Sequence, residues 1–173
     1  MAFADHPKQE ILLPVKGSFI VFSLMVALLL NLIPLKGMAL VFWPDFVALA
    51  VLYWCISQPQ RVGIGMAFGM GLLMDLGDAS AFGQHALAYS IMAFGALVFH
   101  RRLSNFSPFK QAPQVGLILF SGQVIILLGG LLDGSPFPGW DFFLTSVSGI
   151  LLWPFLSSVL RAPQKPRSVS DAR

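Results

Sequence analysis

R-V-G-I-G-M-A-F-G-M-G-L-L-M-D-L-G-D-A-S-A-F-G-Q-H-A-L, residues 61–87, sets more small and polar residues inside hydrophobic sequence than any other part of the chain. Its first half reads as an apolar helix studded with glycine and closed by Asp75 and Asp78. A turn of small residues follows, and Gly83, Gln84 and His85 open a second apolar helix. Gly65 and Gly69 form a G-x-x-x-G pair, and Ala67, Gly71, Asp75 and Asp78 share a narrow arc at about 100° per residue. Small residues let helix backbones approach closely in lipid. The first expectation for this helix is tight packing within the chain. The second is a surface for another subunit's transmembrane helix.

The rest of the chain makes lipid the better solvent. Of 173 residues, 56% are hydrophobic and 11% charged, with a mean hydropathy of +0.76; soluble domains carry roughly 25% charged residues. A short chain keeps a large surface for its volume and could not hide so much apolar area from water. Crossing a bilayer core takes about 20 apolar residues, fewer where a helix packs inside protein. The pattern predicts an all-α polytopic membrane protein with six transmembrane helices, at about 17–33, 44–57, 62–76, 83–99, 114–132 and 140–160. These form one domain over 1–160. Residues 161–173 read as a disordered basic cytoplasmic tail, since Pro, Ser and basic residues there show no apolar periodicity.

Local signals set the boundaries. Residues 1–10 lack the basic region and cleavage site of a signal peptide, so the first apolar run is expected to stay as a span. Pro34 stops that run, and Asn31 is placed at the membrane interface. Trp43-Pro44-Asp45 interrupts the second run. Proline suits a first helical position and an acid suits the first turn, so helix 2 is expected to start at Pro44, after an interfacial or re-entrant lead-in at 38–43. At 1.5 Å per residue that helix is about 21 Å long, short for a span exposed to lipid. Gln58-Pro59-Gln60-Arg61 reads as a tight turn. A polar connection holding Ser104, Asn105, Ser107, Pro108 and Lys110 is expected before helix 5, and Pro154 should kink helix 6.

Charge supports the topology. With six spans and the N-terminus inside, the inner segments carry Lys8, Lys16, Arg61, Arg101, Arg102, Lys110, Arg161, Lys165, Arg167 and Arg173, leaving only Lys36 of the 11 basic residues outside. This is the positive-inside pattern and places both termini in the cytoplasm. The outer connections carry Asp45, Asp75, Asp78, Asp133 and Asp141. The net charge of +3 is therefore a topology signal and not a sign of nucleic-acid binding. Arg101, Arg102 and the basic tail would also attract anionic lipid, at about 1 kcal/mol per near-surface residue. Phe106 and Phe109 are placed on the membrane surface or against a cytoplasmic partner.

Ionisable groups near a membrane are functional hypotheses by default. For Asp75, Asp78 and His85, near a helix turn, a structural role comes first: Asp75 capping helix 4 or binding the backbone of the turn. A partner or ligand contact comes second, and proton relay or metal binding last. One histidine and two aspartates lack zinc-motif spacing. The lone Cys55 lies in an apolar run and reads as a small buried hydrophobe. H-E-x-x-H and G-x-S-x-G do not occur, and Ser80 stands five residues before His85 in a turn, without an oxyanion site. No catalytic residue, cofactor or metal is expected.

At Trp43-Pro44-Asp45-Phe46, and again over residues 61–87, the chain resembles the bacterial rod shape-determining MreD family. The family pattern has a Pro-Asp pair opening helix 2, a G-L-L-x-D run in helix 3, a small turn, and G-x-H-A-L opening helix 4. Here these are Pro44-Asp45, Gly71-Leu72-Leu73-Met74-Asp75 and Gly83-Gln84-His85-Ala86-Leu87. Tyr53-Trp54 before the turn at Arg61 is also similar. Length and hydropathy match along most of the chain, while the tail adds nothing.

The resemblance implies a non-enzymatic scaffold of the inner membrane in the cell-wall elongation machinery. It would bind the bitopic MreC and work with MreB filaments and the peptidoglycan polymerase–transpeptidase pair. The resemblance also implies a fold similar to the substrate-binding components of vitamin transporters. The structural or partner-binding candidates are Pro44, Asp45, Arg61, Gly65, Gly69, Gly71, Asp75, Gly83 and His85. The alternative is a vitamin-like small-molecule binding transport component, with a pocket near Asp45, Asp75 and His85. Apart from Trp43 and Trp140 the outer loops offer few groups to enclose a ligand, and pockets need several converging polar groups.

Overall fold

Helix α2 (Phe46–Ser57) is apolar on every side and buried at every position from 47 to 56. A helix with no polar face belongs in the interior, and the others are arranged around it. The computed structural model describes residues 15–34, 42–77 and 83–164. Within them the remaining helices are α1 (Gly17–Asn31), α3 (Ile64–Gly77), α4 (Gln84–Ser104), α5 (Pro108–Leu132) and α6 (Leu144–Arg161). Two 3-10 segments, Trp140–Phe143 and Ala162–Gln164, flank α6. Helices α1, α4 and α6 pack directly on α2; α3 pairs with α4, α4 with α5, and α5 with α6. The described residues form an all-helical bundle with no strand.

The outside of the bundle is as apolar as its core. Phe22, Leu29, Phe94, Leu117, Leu151 and Phe155 are all more than half exposed, which suits a bilayer and not water. Pro108–Leu132 and Trp140–Gln164 are 25 residues each and long and apolar enough to span, about 37 Å at 1.5 Å per residue. Helices α1, α2 and α3 are shorter apolar helices. The chain runs up and down, so Lys16, Arg61, Arg101, Arg102, Lys110 and Arg161 gather at one end of the bundle. Asp45, Asp75, Asp133 and Asp141 gather at the other. These are called the basic end and the acidic end below.

Several boundaries differ from the sequence expectation. Helix α2 begins at Phe46, with Asp45 as its N-cap; Pro44 precedes the cap because the Asp45 carboxylate takes over a backbone donor of the first turn. The lead-in at 38–43 lies mostly outside the described residues. Helix α4 runs on through His100-Arg101-Arg102 to Ser104. The polar connection after it shrinks because Ser107 is the N-cap of α5 and Pro108 takes the first turn, where a missing N–H costs nothing. Helix 6 starts as 3-10 turns over Trp140–Phe143 before α6. The chain also stays ordered past 160: Arg161 ends α6, and Gln164 is fully buried, donating to the Tyr53 hydroxyl at 2.9 Å. Asp78, Ser80 and residues 165–173 lie outside the described residues.

The small residues of α3 divide between two faces. A Cβ on Gly71 would land on the Ala86 backbone, 2.6 Å from the His85 carbonyl carbon, whereas one on Gly65 or Gly69 would meet nothing within 4 Å. The close approach of α3 to α4 therefore uses Gly71, which like Ala67 is buried, and not the G-x-x-x-G pair. Gly71→Leu is expected to cost about 2–3 kcal/mol, as overpacking a tight contact does, while Gly69→Leu stays within about 0.5 kcal/mol of wild type. Thermal unfolding in mild detergent measures both; equal loss in the two variants would contradict this division.

Candidate functional site

At the acidic end two aspartates each hold the start of a helix. Asp45 has the extended backbone of an N-cap. Its Oδ1 accepts the Ala48 N–H at 2.9 Å and the Asn31 amide at 2.8 Å, and its Oδ2 accepts the Tyr89 hydroxyl at 2.7 Å. The Asn31 carbonyl oxygen in turn accepts the Phe46 N–H at 2.9 Å. Two first-turn donors of α2, the Ala48 and Phe46 N–H groups, are thus met by one carboxylate and one amide, and the same side chains tie α2 to α1 and α4. Trp43 closes the seam, its indole N–H donating to the Leu30 carbonyl at 3.2 Å.

Asp75 does the same for α4 from a different helix. The N-cap of α4 is Gly83, at φ +98°, a left-handed conformation that glycine adopts without strain. Glycine has no side chain to cap with. Asp75, only 2% exposed, supplies the acceptors: Oδ2 takes Gly83 N–H at 2.8 Å and Ala86 N–H at 3.3 Å. Oδ1 takes His85 N–H at 2.8 Å and lies 2.9 Å from His85 Nδ1. The helix N-terminus adds its dipole to these bonds. The His85 ring then meets Tyr89 edge-on at 5.9 Å between centroids, so Asp75, His85, Tyr89 and Asp45 form one continuous polar seam.

Six of the nine sequence candidates come together here: Pro44, Asp45, Gly71, Asp75, Gly83 and His85. Arg61 lies at the basic end, where its Nη1 donates to the Val15 carbonyl at 2.5 Å and ties the turn after α2 to the start of α1. Gly65 and Gly69 stand apart on the open face of α3. Sequence reasoning missed Tyr89 and placed Asn31 at the interface. It also missed Gln111, whose Nε2 donates to the Leu103 and Phe106 carbonyls at 2.8 and 3.0 Å and whose Oε1 accepts the Trp153 indole at 3.2 Å. For Asn31 and Tyr89 the available signal was a polar side chain inside an apolar run, which must find a partner when buried; Gln111, between Lys110 and Ala112-Pro113-Gln114, carried no such signal.

The seam is filled by its own hydrogen bonds. Asp45 borders a cavity of only about 20 Å³. A cleft of about 900 Å³ opens beside Gln84, Gly129, Gly130, Asp133, Ser135 and Phe142, and Asp45, Asp75 and His85 do not line it. The pocket expected around those three residues is thus replaced by packed side chains. Among the described residues no group of three or more His, Cys, Asp or Glu could hold a metal ion.

The family model described as rod shape-determining protein MreD matches residues 15–162. The chain belongs to the MreD family. The rod shape-determining protein MreD of Haemophilus influenzae is 31% identical over 118 residues, covering 68% of this chain and 73% of that protein. No solved structure matches, and the likeness to vitamin-transporter components is not supported. As an MreD-family membrane protein, the chain has a role in maintaining cell shape as a structural component.

The two caps make a stability prediction. Asp75→Ala leaves buried backbone donors without acceptors and is expected to cost about 3 kcal/mol; Asp75→Asn, which keeps one oxygen, should lose less. Thermal unfolding in detergent tests this, and an alanine variant as stable as wild type would show that α4 does not depend on the cap.

Proposed function

We propose that the protein is a non-enzymatic scaffold of the bacterial inner membrane, with both termini cytoplasmic. It binds MreC and, through it or directly, helps position MreB and the peptidoglycan polymerase–transpeptidase pair during wall elongation. The observation that carries this reading is where the conspicuous residues of the 61–87 stretch go. Asp75, His85, Gly71 and Gly83 hold α3 to α4, while a side chain added at Gly65 or Gly69 would point into open space, its Cβ meeting nothing within 4 Å. Ile64 and Phe68 beside them are exposed. An open, small-residue face on a membrane helix suits the close approach of a single partner helix, such as that of a bitopic protein. The separation of basic and acidic ends supports the orientation.

Co-expression with the cognate MreC, isolation in mild detergent and native mass spectrometry test the reading. A stable complex without a bound small molecule is expected. Gly69→Leu should reduce MreC recovery about tenfold, a loss of roughly 1.4 kcal/mol, with no change in unfolding temperature and with loss of rod shape in cells. A lone subunit carrying a defined small-molecule mass would overturn the scaffold in favour of transport. Full MreC recovery with Gly69→Leu would exclude the α3 face.

A further inference from the structure

We propose that the groove between α1 and α6 binds one anionic phospholipid, its acyl chain lying along the groove and its phosphate held by Lys16 and Arg161. Helices α1 and α6 flank α2 without closing on each other, and the gap leaves a groove of about 350 Å³. Phe22 and Val26 form one wall, Phe155 and Val159 the other, and Phe46 and Ala50 the floor. Its polar lining side chain is Ser23, and that hydroxyl is satisfied: it accepts the Trp54 indole at 2.9 Å and donates to the Ile20 carbonyl at 2.8 Å. An occupant with polar groups at this depth would find no partner, so the groove calls for hydrocarbon.

Its dimensions select a chain over a helix. The groove runs along α1 from Leu30 to Phe19 and along α6 only over the half nearer the basic end, Leu152 to Leu160, roughly 16 Å at 1.5 Å per residue. That is about half of a 30 Å hydrocarbon core, the depth of one leaflet. A volume of about 350 Å³ over that length is a mean cross-section of roughly 22 Å², room for an extended acyl chain and far below that of a helix 10–12 Å across.

Charge selects the headgroup. Lys16 is exposed and stands immediately before α1, one turn before Phe19. Arg161 directly follows Leu160, which lines the groove, and is partly exposed. The described carboxylates Asp45, Asp75, Asp133 and Asp141 all lie at the opposite end, so none of them competes for these cations. A lysine and an arginine at the mouth of a one-leaflet groove suit a phosphate ester. The site does not depend on the MreC contact.

The full chain, reconstituted in phosphatidylcholine nanodiscs with a minor fraction of phosphatidylglycerol bearing a photoreactive acyl chain, provides the test. Label on the wild type should map to α1 and α6. It should exceed that from photoreactive phosphatidylcholine by about thirtyfold, the effect of two near-surface charges at about 1 kcal/mol each. The double variant Lys16→Gln/Arg161→Gln should fall to the phosphatidylcholine level, and Val26→Trp/Val159→Trp should lose the label by filling the groove. Arg101→Gln/Arg102→Gln, at the same end but outside the groove, should keep it. Label spread over all outward faces, equal labelling by the two lipids, or equal loss in the Arg101/Arg102 variant would overturn the proposal. So would displacement of the lipid by a partner's membrane helix, read as protein crosslinks from Phe22→Cys. The wild-type map needs no variant to fold.

Discussion

The structure depends on how the first turn of α2 is satisfied. At 12 residues this helix is about 18 Å long, far short of a 30 Å hydrocarbon core, and protein surrounds it on all sides. Its leading N–H groups therefore lie where water is scarce, and an unmet donor at such depth costs several kcal/mol. Asp45 and Asn31 meet two of them. Because Asn31 ends α1 and Tyr89 of α4 also binds Asp45, satisfying α2 sets where α1 and α4 stand.

The same problem recurs at α4 and is solved in the same way. The turn that brings α3 back as α4 requires glycine at Gly83, which removes the local cap, and Asp75 reaches across to replace it. The reach works only because Gly71, one turn earlier, lets the two backbones come close. A larger residue there would separate the carboxylate from the donors it serves. The glycine and the acid are one device, and His85 and Tyr89 join it to the Asp45 cap. A buried carboxylate is tolerable when its oxygens are filled by several donors, as both are here.

Such a seam gives one hydrogen-bonded polar end, while the outward faces of the helices between the two ends are apolar. The open face of α3 and the groove between α1 and α6 are places where packing within the chain stops. The polar cluster that draws the eye in the sequence keeps the helices in register.

Much of this was legible without coordinates. The apolar runs, Pro44-Asp45 and the small-residue turn after Asp75 are local signals, and hydropathy, helix-breaking and capping chemistry act over a few residues. They determined an all-helical membrane protein, the approximate helices, the charge asymmetry, and Asp75 beside the start of α4. The tertiary structure alone decided which arc of α3 faces α4, and so why Gly71 is crowded while Gly65 and Gly69 are open. It alone joined Asn31 to Asp45 across 14 positions, Tyr89 to Asp45 across 44 and Gln164 to Tyr53 across 111. Helical periodicity fixes the angle between residues on one helix. It carries no information on which neighbour occupies that angle, because contacts between distant segments depend on how all the helices pack at once.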